Sequence, residues 1–226
     1  MNSQAETIFI IDDEESIRQA LSAYLESFGY QVEIFSSSEE FLARNTYTGI
    51  GCLVLDVNLN GKSGLELQEE LFTDHSILPI IFISGLGNIQ MSVRALKKGA
   101  VNFLEKPFSQ EELLNSINEA LSLSRQLKQQ RDESQLAQQL ISLLTSRELE
   151  VLRYSMSGLL NKQVASELNI AEQTVKHHRQ SISEKLNVKS MPEMIRIAEK
   201  AGVRSFLEDE DQSHLQKYFS RPQNRE

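Results

Sequence analysis

The chain has 226 residues, 40% of them hydrophobic, with a net charge of −9 and one cysteine; this suits two small globular domains and excludes an internal disulfide. No positively charged start leads into an apolar run, and the most apolar segment, Ile77 to Leu86, is far short of the ~18 residues needed to span a bilayer, so neither a signal peptide nor a membrane helix is expected. The charge is uneven: residues 1–122 carry 7 basic and 18 acidic side chains, a net −11, while residues 144–203 carry 9 and 7, a net +2, which implies two parts with different partners.

Through residue 122, apolar runs alternate with amphipathic stretches of helical length. Strands are expected at Thr7–Asp12, Gln31–Phe35, Cys52–Asp56, Ile80–Ser84 and Val101–Leu104, with helices at Glu15–Phe28, Ser38–Arg44, Gly64–Phe72 and Ile89–Lys98 and a fifth from Ser109. Capping-box spacings at Ser37-x-x-Glu40, Ser63-x-x-Glu66 and Ser109-x-x-Glu112 mark helix starts, and Gly29 and Gly99 mark stops. This alternation gives an α/β doubly wound parallel sheet of five strands with right-handed crossovers.

The third strand, Gly51-Cys52-Leu53-Val54-Leu55-Asp56, ends an apolar run on a carboxylate at the edge where open parallel sheets bind ligands. Cys52 within it reads as a small buried apolar residue. Asp12 and Asp13 close strand one, Ser84 closes strand four and Lys106 follows strand five, so all face one crevice. Converging carboxylates repel one another, and a hard oxygen-seeking cation such as Mg²⁺ relieves them where no histidine or thiol stands beside them. A carboxylate nucleophile, a divalent cation, a hydroxyl and a lysine together suit formation of an aspartyl phosphate.

Ile11-Asp12-Asp13-Glu14, Leu53-Val54-Leu55-Asp56, Ile83-Ser84-Gly85 and Phe103-Leu104-Glu105-Lys106-Pro107-Phe108, in this order and spacing, make residues 5–122 resemble a response-regulator receiver domain, a flavodoxin-like fold. The resemblance implies that Asp56 is the phosphoacceptor and that Asp13, Asp56 and the carbonyl of Asn58 hold Mg²⁺, with Asp12 supporting them from behind. It implies too that Lys106 and Ser84 contact the phosphoryl group, that Ser84 and Phe103 form a switch pair, and that the Lys106–Pro107 bond is cis. Two positions depart from the family pattern. Asn60 stands where proline is common, though Asn60-Gly61 still makes a tight turn. Leu86, two residues after Ser84, is apolar where many relatives are polar, which bears on phosphate lifetime. His75 and His214 have no partner spacing and read as surface residues.

From Leu113 the fifth helix runs on without glycine or proline, through a glutamine-rich stretch, so residues 123–142 form a helical linker; the apolar stripe lapses beyond Leu127 and supports no sustained heptad seam. Residues 143–203 then make an all-α four-helix domain. Thr145-x-x-Glu148 opens its first helix, Asn161 caps Lys162–Leu168, a turn at Asn169-Ile170-Ala171 leads into Glu172–Leu186, and Ser190-x-x-Glu193 starts the last, through about Lys200. The middle pair is a helix-turn-helix. On Glu172–Leu186, Val175, His178, Ile182 and Leu186 face inward, Gln173, Lys176, His177 and Gln180 face base edges, and Thr174, Arg179 and Lys185 lie nearer phosphates.

Through Leu144-Thr145-Ser146-Arg147-Glu148, Asn161-Lys162-Gln163-Val164-Ala165, Thr174-Val175-Lys176-His177-His178 and Lys185-Leu186, this part resembles the LuxR-type DNA-binding domain, and the whole resembles the NarL/FixJ family. Ala171 replaces a common capping serine. The polar tail, residues 204–226, is expected to be disordered. The implied function is a cytoplasmic response regulator: a sensor histidine kinase phosphorylates it, phosphorylation favours a homodimer, and the dimer binds promoter double-stranded DNA and acts with RNA polymerase. Two alternatives stand beside it. One is an interaction protein whose receiver is only a dimerisation scaffold; the other is a Mg²⁺-dependent aspartyl-phosphate phosphatase, which Asn58 disfavours because such enzymes place a second aspartate there.

Overall fold

Why the apolar runs stack into one sheet follows from their burial: β1 (Thr7–Ile11), β3 (Gly51–Asp56) and β4 (Ile80–Ser84) are buried at every residue, as parallel strands covered on both faces must be. The computed structural model describes residues 6–73, 78–85 and 89–206. With β2 (Gln31–Phe35) and β5 (Asn102–Glu105) these strands form a five-stranded sheet in the order β2-β1-β3-β4-β5, with every pairing parallel. The helices are α1 (Glu15–Glu26), α2 (Ser38–Leu42), α3 (Gly64–Thr73), α4 (Ile89–Lys97) and α5 (Gln110–Ile141).

Successive strand residues alternate between two cores. Phe9, Ile11, Leu53, Leu55 and Phe82 pack with Phe41 of α2, Leu67 and Leu71 of α3 and Ala95 of α4. Ile8, Ile10, Cys52, Val54, Ile81 and Ile83 pack with Leu25 of α1 and Leu113, Ile117, Ala120 and Leu121 of α5. Burial pushes the Cys52 thiol up to about 12, so it stays protonated and inert. At the crevice edge Gly64 lets α3 begin against β3: a Cβ there would lie 2.3 Å from the Asp56 carbonyl oxygen.

Element ends differ from expectation by one or two residues. β1 stops at Ile11 and β5 starts at Asn102. α1 ends at Glu26, and Gly29 then takes φ 86°. α2 ends at Leu42, short of Arg44, whose guanidinium lies 4.3 Å from the Phe9 ring centroid. α5 is one unbroken helix of 32 residues. The chain divides into two units between Gln129 and Gln130, inside that helix.

The second unit holds α6 (Ser146–Met156), α7 (Asn161–Leu168), α8 (Glu172–Leu186) and α9 (Met191–Lys200) around Val151, Leu152, Val164, Val175, Ile182, Leu186, Met194 and Ala198. The Thr145 box closes in both directions with Glu148. Asn161 is not the cap of α7. Leu160 is, because the Gln163 side chain accepts from the Leu160 amide 2.7 Å away and draws the helix start back one residue. The α7–α8 turn pivots on Asn169 at φ 52°, and Ala171 heads α8 with no side-chain cap. Among the described residues no helix is long and apolar enough to cross a membrane. The expectations for His75, Leu86, His214 and the tail from residue 207 lie outside the described residues.

Candidate functional site

Parallel strands bring their C-terminal ends to one edge, and there Asp12, Asp13 and Asp56 offer carboxylate oxygens within 4.8 Å of one another. Asp12 is buried, with one oxygen 2.9 Å from the Glu14 amide and the other 2.7 Å from the Lys106 ammonium. Asp56, 5% exposed, accepts from the Asn58 amide at 3.1 Å and from Lys106 at 3.0 Å. Lys106 therefore joins the first and third strands' acids in one ion-pair network. Burial lifts the Asp56 carboxyl above its ordinary range, against the Asn58 and Lys106 hydrogen bonds that lower it, and Asp12 adds to the lift. Burial opposes the Lys106 charge, but the bonds to Asp12 and Asp56 outweigh it and raise the ammonium's pKa.

The donor set fits a hard divalent cation. All three ligating groups are oxygens, and the Asn58 carbonyl takes no hydrogen bond among the described residues. Asp12 is the most deeply buried of the three, with its oxygens on the Glu14 amide and the Lys106 ammonium. Ser84 is fully buried, and its hydroxyl accepts from the Asn58 side-chain amide at 3.3 Å. Phe103 is half-buried, packed on the α2–α4 core with its ring centroid 6.3 Å from that of Phe82. The Lys106–Pro107 bond is cis. Spacing did not reveal Asn60: its amide donates to Asp13 at 2.6 Å across 47 residues of chain.

On α8, Gln173, Thr174, Lys176, His177 and Gln180 are exposed, with Lys176 paired to Glu172 at 3.2 Å and Gln180 bonded to Glu184 at 3.1 Å. His178 is half-buried. Two residues expected nearer phosphates have partners inside the domain. The Arg179 guanidinium turns inward, donating to the Ser155 hydroxyl at 2.9 Å and 3.1 Å and to the Leu159 carbonyl at 3.4 Å; burial lowers its pKa. Lys185 pairs at 2.7 Å with Glu148, which is 5% exposed and also takes Ser181 and Thr145. Both cations anchor the helix because a long stem can cross the α6–α8 contact and leave its charge on a polar group inside. Burial pushes the Glu148 carboxyl up, but Lys185, Thr145 and Ser181 together hold it down at about 2.

A family model for the response regulator receiver domain matches residues 8–118, and one for bacterial regulatory proteins of the luxR family matches residues 142–198. The transcriptional regulatory protein FixJ of Bradyrhizobium diazoefficiens is 33% identical over 199 residues, which cover 87% of this chain and 96% of that protein. The chain belongs to the NarL/FixJ family of response regulators. The response regulator protein TmoT of Ectopseudomonas mendocina shares 42% identity over 88% of the regulator and 91% of its own length. A solved structure of the response regulator StyR superposes with a TM-score of 0.73 at 45% identity, covering 87% of the regulator and 99% of that chain. The regulator thus pairs a phosphoryl-receiving domain, the partner of a histidine kinase, with a DNA-binding domain that serves transcription.

Proposed function

We propose that the regulator works in the cytoplasm, where a sensor histidine kinase or a small acyl phosphate phosphorylates Asp56. The observation that carries this is the Lys106 ammonium held between Asp12 and Asp56, 2.7 Å and 3.0 Å away, at the mouth of β3. A carboxylate oxygen of Asp56 forms the new P–O bond as the donor's P–N or P–O bond breaks, and Lys106 takes up charge on the transferred group. Mg²⁺, held by Asp13, Asp56 and the Asn58 carbonyl, would neutralise the developing phosphoryl charge.

Ser84 is the buried hydroxyl at the end of β4, and its movement toward the phosphoryl group would open space for Phe103 of β5. Next to β5, α4 exposes Ile89 (82%), Val93 (43%) and Leu96 (45%), three apolar side chains spaced for one helix face. That stripe supports a receiver dimer through α4, β5 and α5. The dimer would place two copies of α8 on paired half-sites of promoter DNA and present the bound regulator to RNA polymerase. Sedimentation with and without beryllium fluoride and Mg²⁺ tests the switch. The analogue should shift the chain toward dimer, and Ser84→Ala and Phe103→Ala should blunt the shift; an analogue-insensitive equilibrium in the unmutated chain refutes it. Complete conversion from 1:99 to 99:1 would need about 5.5 kcal/mol of differential stabilisation.

The exposed α8 residues, with Lys176 and His177 toward base edges and Thr174 toward the backbone, would read the sequence. Lys176→Ala should cost ~1–3 kcal/mol on the preferred site and relax its base preference. Arg179→Ala should lower the melting temperature of the second unit, since its guanidinium bonds inward. Binding isotherms on selected and scrambled duplexes check the first, and equal affinity for both in the unmutated chain would remove α8 as the reader.

A further inference from the structure

Asp13 is the exception among the three acids. Asp12 and Asp56 each have both oxygens engaged, by Lys106 and by a backbone amide. Asp13 has no cationic partner among the described residues, and the Asn60 side-chain amide is its hydrogen-bond donor, at 2.6 Å from Oδ2. Asn60 is itself exposed on the turn after β3, followed by Gly61 at φ 92°. The positive φ fixes that turn, and the turn presents the amide to Asp13. A proline at this position would have no such donor.

We infer that Asn60 is a positioning residue for the divalent cation, orienting the Asp13 carboxylate so that its other oxygen points at the metal. This rests on the proposed Mg²⁺-dependent phosphorylation of Asp56. A neutral amide suits the role: it holds the carboxylate without cancelling the charge the cation needs, which a lysine or arginine would do. It also stops Asp13 from swinging into solvent when the cation is absent, so less freedom is lost on binding. Hydrogen-bonding partners of metal ligands are typically worth 10–100-fold in metal affinity.

The test is a Mg²⁺ titration of the full chain by calorimetry, with Asn60→Ala, Asn60→Pro, Asn60→Gln and Asp13→Ala in parallel. Asn60→Ala and Asn60→Pro should both raise the Mg²⁺ dissociation constant about tenfold, and Asn60→Gln, which keeps the amide, should recover part of the loss. Melting temperatures in chelator should stay level across the Asn60 variants. Acetyl phosphate labelling supplies the second readout: the half-saturating Mg²⁺ concentration should rise far more than the maximal rate falls. If Asp13→Ala loses Mg²⁺ while Asn60→Ala binds as the unmutated chain does, the Asn60 inference fails and the phosphorylation reading stands. If the unmutated chain neither binds Mg²⁺ nor takes label, both fall together.

Discussion

Asp56→Asn should abolish incorporation of phosphoryl groups from acetyl phosphate while leaving a folded chain that melts no lower than the unmutated one. The chemical half follows because an amide is no nucleophile, and Asp12, the other acid that Lys106 holds, is fully buried. The stability half follows from the sign of the pKa shift. A carboxyl whose folded pKa is raised contributes most when protonated, and that contribution is lost as pH rises through the folded pKa. At neutral pH the ionised Asp56 is therefore a net cost, which asparagine removes along with the repulsion from Asp12. The same shift predicts that labelling of the unmutated chain declines in acid sooner than an exposed aspartate would dictate. Asp13→Ala should also lose labelling, through the cation. Mass spectrometry of intact protein reads the adduct directly, and full labelling of Asp56→Asn would sink the assignment.

The crevice was legible because its geometry is a property of strand ends. Any residue closing an apolar run in a doubly wound sheet arrives at the same edge, so Asp12, Asp13, Asp56, Ser84 and Lys106 could be placed together from spacing alone. What sequence spacing could not show is which polar atoms meet there. The bond from Asn60 to Asp13 depends on how one loop folds over another, and a turn signal such as Asn60-Gly61 fixes only the local backbone. The inward bonds of Arg179 were hidden for a different reason. This residue lies four residues after Val175 and three before Ile182, within the buried stripe, yet its charge argued for the outside; the Ser155 hydroxyl, buried in α6, supplies the partner that lets the periodicity win. The cap of α7 was missed by one residue because side-chain identity favoured Asn161, whereas the helix start is set by the Gln163 bond to Leu160. Asn161 Oδ1 is left buried without a partner among the described residues.

Glu148→Ala should destabilise the DNA-binding unit by roughly 3 kcal/mol, the scale on which breaking a buried ion pair falls. The carboxylate joins the start of α6 to the C-terminal half of α8, taking the Thr145 amide and hydroxyl, the Ser181 hydroxyl at 2.7 Å and the Lys185 ammonium at 2.7 Å. Its loss strands a cation and two hydroxyls and frees the reading helix to shift against α6. Glu148→Gln should cost less, because an amide carbonyl still accepts from the hydroxyls while only the charge opposite Lys185 is gone. The pH dependence separates this pair from the exposed glutamates of the capping boxes. Glu148 titrates at about 2 in the folded chain against an ordinary 4.5, so its contribution is whole above 4.5 and is lost as pH falls toward 2. Urea midpoints of the α6 and α8 amides, followed by nuclear magnetic resonance, should therefore differ between the unmutated chain and Glu148→Gln at neutral pH and converge in acid. A separation that stays constant down to about pH 2.5 would show that the charge on Glu148 is not what holds α8 in place.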